Sequence, residues 1–164
     1  MTGTPSRRDI IVGAFWGRAD EIRPPWAIPD PIFTERCSAC GECVTACPQG
    51  ILARGGGGYP KIDFMRGACD FCGACARACP EGQNLFFEQE RSPWSLMPRF
   101  ADSCLSACGI ACRTCGDWCD SRAIRFRLEV GGRGHPELTI SDCTGCGACV
   151  SACPVQAIQM EKPE

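Results

Sequence analysis

Hydrophobic positions in this chain come in short runs that seldom outlast eight residues. Ala123-Ile-Arg-Phe-Arg-Leu-Glu-Val130 alternates with period two, which predicts a strand with Ile124, Phe126, Leu128 and Val130 inward. Arg125, Arg127 and Glu129 then face outward. Gly131-Gly-Arg-Gly134 predicts a turn, and Glu137-Leu-Thr-Ile140 a returning strand. The lone His135, in that turn, is expected at the surface without a role. Ile51-Leu-Ala-Arg54 and Tyr59-Pro-Lys-Ile-Asp63 flank Gly55–Gly58 and predict a second hairpin. Residues 1–30 show no periodicity, and Ile22-Arg-Pro-Pro-Trp26 with Pro29 and Pro31 predicts an extended arm that covers the module behind it.

Composition changes the picture, because these runs are too few to build an ordinary core. Seventeen of the 164 residues are cysteine. Such an excess marks either a secreted disulfide scaffold or a metal protein of a reducing compartment. The odd count and the absence of an apolar leader favour the metal protein. Ser6-Arg7-Arg8 is followed by an apolar run that stops by Arg18 and Asp20, too short for an export signal, so a cytoplasmic location is expected. No run of about 18 apolar residues exists to span a bilayer. With 17 basic against 19 acidic residues, nothing points to nucleic acid.

The cysteine spacing supplies the chemistry. Cys37-Ser-Ala-Cys40-Gly-Glu-Cys43-Val-Thr-Ala-Cys47-Pro48 is C-x2-C-x2-C-x3-C-P, the spacing that holds a [4Fe–4S] cluster in bacterial ferredoxins. Cys69, Cys72, Cys75 and Cys79 repeat it, as do Cys143, Cys146, Cys149 and Cys153. Two-residue spacers bring three sulfurs around one corner of a cubane, and small residues let the backbone approach it. A short helix is expected from the third cysteine, where Cys43 and Cys47 share a face.

A fourth group departs from the pattern. In Cys104-Leu-Ser-Ala-Cys108-Gly-Ile-Ala-Cys112-Arg-Thr-Cys115-Gly-Asp-Trp-Cys119, five cysteines compete for four places and no proline follows. Cys112, Cys115 and Cys119 match the last three ligands of the other motifs. Asp102-Ser103-Cys104 parallels Ser141-Asp142-Cys143, so Cys104 is expected as the first ligand, with Cys108 its alternative. Cys108-x3-Cys112-x2-Cys115 also spells the radical SAM signature, but its flanks are taken by other cysteine groups.

The motif starts lie 32, 35 and 39 residues apart. Repeats that short cannot bury a core unaided, so the clusters themselves are expected to organise the fold. The expected class is α+β: tandem ferredoxin-like modules with short helices, small hairpins and little hydrophobic core. The expected division is an arm at 1–30, a module at 31–90, a linker at 91–99 and a module at 100–164. Up to four [4Fe–4S] clusters are expected, and in two-cluster ferredoxins the fourth cysteine ligates the other cluster. A tandem arrangement would give Cys37, Cys40, Cys43 with Cys79; Cys69, Cys72, Cys75 with Cys47; Cys104, Cys112, Cys115 with Cys153; and Cys143, Cys146, Cys149 with Cys119. Nested pairing, first with fourth and second with third, stays open.

The whole chain resembles the NapF family of ferredoxin-type accessory proteins. Ser6-Arg7-Arg8, Ile22-Arg-Pro-Pro-Trp26, Arg54-Gly-x-Gly-Gly-Tyr59-Pro60, Cys104-Leu-x6-Cys112-Arg-x-Cys115-x3-Cys119, Ala123-Ile-x-Phe-Arg127 and Cys143-x-Gly-Cys-Gly-Ala-Cys149 carry the resemblance. Cys108 has no counterpart in that pattern. The resemblance implies a non-catalytic cytoplasmic protein that docks the catalytic molybdenum subunit of the periplasmic nitrate reductase before export and assists its maturation. Other readings are an electron-transfer subunit of a respiratory or dehydrogenase complex, a zinc protein, and a radical SAM enzyme.

Overall fold

Four short helices open on the same step of the cysteine repeat. In chain order, the computed structural model, which describes residues 21–128 and 134–162, has α1 at Ile32–Arg36, α2 at Glu42–Thr45, α3 at Ala74–Arg77, α4 at Thr114–Asp117 and α5 at Ala148–Ala152. The third cysteine of each group is the second residue of its helix: Cys43 in α2, Cys75 in α3, Cys115 in α4 and Cys149 in α5. All four are buried, at 7 or 8 % exposure. Helices of four or five residues do not persist on intrinsic propensity, so each is held by what its cysteine reaches.

The strands are β1 (Leu52–Arg54), β2 (Pro60–Ile62), β3 (Met97–Phe100), β4 (Ile124–Leu128), β5 (Gly134–Leu138) and β6 (Ile158–Glu161). They form three antiparallel pairs: β1 with β2, β4 with β5, and β3 with β6. This is the α+β layout read from the sequence. The expected alternation appears in β4, where Ile124 is buried while Arg125 and Arg127 are exposed. Val130 and the turn at 131–133 lie outside the described residues, and so do residues 1–20 of the arm expected at 1–30. The return strand starts at Gly134, earlier than its sequence suggested, so exposed His135 sits in β5, opposite Arg127.

The chain divides into two compact units, one of Met1–Asp63 with Gly73–Pro93 and one of Phe64–Cys72 with Trp94–Glu164. In the first, Trp26 is buried and its Nε1 donates to the Arg91 carbonyl at 2.8 Å. Its backbone N–H reaches Pro93 O, and Ala27 bridges to Phe86. Residues 22–28 are therefore paired into the unit rather than extended beside it. Phe33 packs edge-on against Phe86, with ring centroids 6.3 Å apart.

In the second unit Trp94 stands edge-on to both Phe64 and Phe71, at 5.9 and 5.7 Å. Its Nε1 donates to Gly145 O at 3.1 Å, and Cys69 N–H donates to Cys146 O at 2.8 Å. These contacts gather 64–72 with the fourth motif, so the second motif is cut, with Cys69 and Cys72 in this unit and Cys75 and Cys79 in the other. A boundary at 90/91 does not describe that arrangement. Of the stretch expected as a linker, 97–99 form most of β3, because pairing with Gln159–Glu161 satisfies their backbone groups.

Candidate iron–sulfur sites

The loop between the first two cysteines of each full motif turns through one left-handed residue. Ala39 and Phe71 both have φ 55°, and Gly145 has φ 74°. That turn aims a backbone N–H back at the first sulfur: Ala39 N–H and Phe71 N–H each stand 3.4 Å from the Sγ of Cys37 and Cys69. Gly145 N–H serves Cys143 in the same way. Only the third position needs glycine for space, since a Cβ on Gly145 would stand 2.7 Å from Leu96 O. After the second cysteine comes another left-handed residue, Gly41, Gly73 or Gly147. The irregular group has Arg113 there at φ −136°, so α4 is entered by a different route.

Two cavities in the second unit collect thiols. One is lined by Cys104, Cys112, Cys115 and Cys153 with Leu105, Phe126 and Ile158. The other is lined by Cys119, Cys143, Cys146 and Cys149 with Ile124 and Met160. Each takes three cysteines from one group and one from its neighbour. Cys104 lines the first cavity; Cys108 lines neither, is exposed, and its Sγ lies 3.5 Å from Asp102 O. The radical SAM triplet Cys108, Cys112, Cys115 is thus not brought together there.

Electrostatics follow these groupings, except that Cys115 of the first cavity also acts on Cys149 of the second. Burial pushes the Cys115 thiol up to about 11, and nearby Cys104, Cys112 and Cys153 add to it. Burial pushes Cys149 up to about 12, aided by Cys146, Cys115 and Cys143. In the first unit burial pushes Cys43 up to about 11, aided by Cys37, Cys79 and Cys40. Cys37 is raised by burial, and Cys79 and Cys40 again act on it. Cys119 differs: burial would raise it, but hydrogen bonds from the Ser121 hydroxyl and the N–H groups of Ile124, Ala123 and Arg122 bring it below the usual thiol range. Crowded, desolvated thiols of this kind call for a cation to take the place of their protons.

The sites fit an iron–sulfur cubane in donor set and surroundings: four sulfurs, apolar walls, and N–H donors such as Ala157 aimed at Cys153 Sγ at 3.3 Å. Among the described residues no three His, Cys, Asp or Glu side chains are grouped to hold a single metal ion. The sequence did not disclose Arg54, which donates to Ala39 O at 2.9 Å and Cys40 O at 2.8 Å and clamps the first loop. A lone arginine before a glycine run gives no such signal.

Comparison with known proteins names these sites. Residues 36–85 match the 4Fe-4S dicluster domain, and residues 138–159 match the 4Fe-4S binding domain. The ferredoxin-type protein NapF of Haemophilus influenzae is 48% identical over 139 residues, covering 85% of this chain and 78% of that protein. NapF of Escherichia coli is 42% identical over 156 residues, covering 95% of this chain and 94% of its own. The chain belongs to the NapF family. It also resembles the methylamine utilization ferredoxin-type protein MauM of Methylophilus methylotrophus, at 32% identity over 82% of this chain and 67% of that protein. It is an iron–sulfur protein that binds [4Fe–4S] clusters. Among the described residues no helix is long and apolar enough to cross a membrane.

Proposed function

We propose that this protein is a non-catalytic electron carrier of the cytoplasm that holds four [4Fe–4S] clusters, docks the catalytic molybdenum subunit of periplasmic nitrate reductase, and assists its maturation before export. The observation that carries the reading is the pair of four-cysteine cavities with exchanged fourth members. On this reading Cys104, Cys112, Cys115 and Cys153 hold one cluster, and Cys143, Cys146, Cys149 and Cys119 the next. Cys37, Cys40, Cys43 and Cys79 hold a third. The exchange read from the sequence assigns Cys69, Cys72, Cys75 and Cys47 to the last.

A bound cluster supplies a one-electron couple. The chain's own part is to exclude water with Phe126, Ile158 and Leu105, and to aim N–H groups at sulfur, which favours the reduced state. Family membership supports the nitrate reductase system as the setting.

The test is iron and sulfide quantification with EPR on anaerobically purified protein, followed by affinity capture with the molybdenum subunit still carrying its export signal. Sixteen iron atoms per chain and a complex that forms before export are the expected results. A stable complex only with a mature respiratory enzyme would favour the electron-transfer subunit instead.

A further inference from the structure

Arg23, in the Ile22-Arg-Pro-Pro-Trp26 segment, is an arginine buried in the first unit, its side chain only 8 % exposed. Its guanidinium lies 5.6 Å from the ring centre of Phe33 and 5.8 Å from that of Tyr59. Both rings lead to the first motif. The Cys37 N–H donates to Phe33 O at 2.9 Å, and Gly58, beside Tyr59, faces the methyl of Ala39.

Two of the three nitrogens are occupied. Nε donates to Asp30 at 2.9 Å, and Nη1 to Pro60 O at 3.0 Å and Glu21 at 3.3 Å. Nη2 is buried and has no hydrogen-bond partner. A buried guanidinium N–H without an acceptor is costly, so a group absent from the polypeptide is its natural partner.

We infer that Arg23 Nη2 faces the cluster held by Cys37, Cys40, Cys43 and Cys79, and that its fixed positive charge sets the reduction potential of that cluster. Acceptance of an electron makes a cluster more negative, and a cation held out of water favours that state. Glu21 and Asp30 engage the other nitrogens and orient the fork. They also oppose its charge, so what is left to act on the cluster is the N–H unpaired at Nη2. Arg99 provides the contrast, because it is exposed and pairs with Glu161 away from any cysteine loop.

The inference rests on the ligand assignment for the first motif. The experiment is an anaerobic redox titration followed by EPR, with iron content measured alongside, on wild type, Arg23→Met, Arg23→Lys and Arg99→Met. With wild-type iron content, Arg23→Met should shift one cluster's oxidised-to-reduced ratio at fixed potential about tenfold toward oxidised, about 59 mV for one electron. Arg23→Lys should shift the same signal less, and Arg99→Met less than twofold. Full iron with no shift in Arg23→Met overturns the inference, as does an equal shift in Arg99→Met. Iron loss in both Arg23 variants also overturns it, leaving a structural brace. Absence of iron from the wild type would instead overturn the ligand assignment.

Discussion

Cys119 and Cys143 line one cavity, although Cys119 closes the third cysteine group and Cys143 opens the fourth. The reciprocal cavity joins Cys104 to Cys153. Neither group can complete its site without the other, so the two repeats must fold together. α4 packs on α5 in consequence.

Cys104→Ser should lower bound iron by about one cluster, and Cys108→Ser should leave it unchanged. Only Cys104 lines the cavity, while Cys108 is exposed. Parallel iron and sulfide assays on anaerobic preparations check this. Iron loss in Cys108→Ser alone would reverse the assignment.

EPR of Cys153→Ser should show the altered signal seen in Cys104→Ser, and Cys119→Ser that of Cys143→Ser. The shared cavities demand these pairs. Nested pairing, first motif with fourth, would instead link Cys153→Ser to variants of Cys37.

Gly145→Ala should destabilise the protein by roughly 1–3 kcal/mol, because it combines a left-handed backbone with a clash against Leu96 O and Trp94. Gly50→Ala has φ +64° but open space around its Cβ, so it should cost less. The denaturant midpoint for loss of visible absorbance compares them.

Removal of iron by chelation should abolish most far-UV circular dichroism. The helices have four or five residues and the strands three to five, too short to stand alone. Retained ellipticity in iron-free protein would count against clusters as the scaffold.

Acid should release the clusters. Burial sets the metal-free thiols of Cys43, Cys115 and Cys149 at about 11, 11 and 12, above the ordinary thiol value of about 8.5. Raised folded values stabilise any metal-free fold below about pH 8.5, and that contribution fades as pH climbs through 11 to 12. Iron has the opposite dependence, since binding expels those protons and falling pH works against it. An anaerobic pH titration of visible absorbance should bleach on the acid side of neutrality and hold between pH 7 and 9.

The cysteine spacing alone determined the cofactor and the helix at each third cysteine, because a cubane dictates local geometry; the apolar runs flanking Gly55–Gly58 determined the hairpin, because β1 and β2 are neighbours in sequence. In the sequence Asp102-Ser103 before Cys104 matches Ser141-Asp142 before Cys143, and in the structure Cys104 lines a cavity with Cys112, Cys115 and Cys153. The tertiary structure alone decided what depends on distant partners. It drew Trp26 against Pro93 and Arg91, turned a supposed linker into β3 opposite β6, and gave Cys153 and Cys119 to each other's groups. Spacing records how a chain grips one cluster; which chain segments come to share it depends on packing and backbone pairing between residues far apart in sequence.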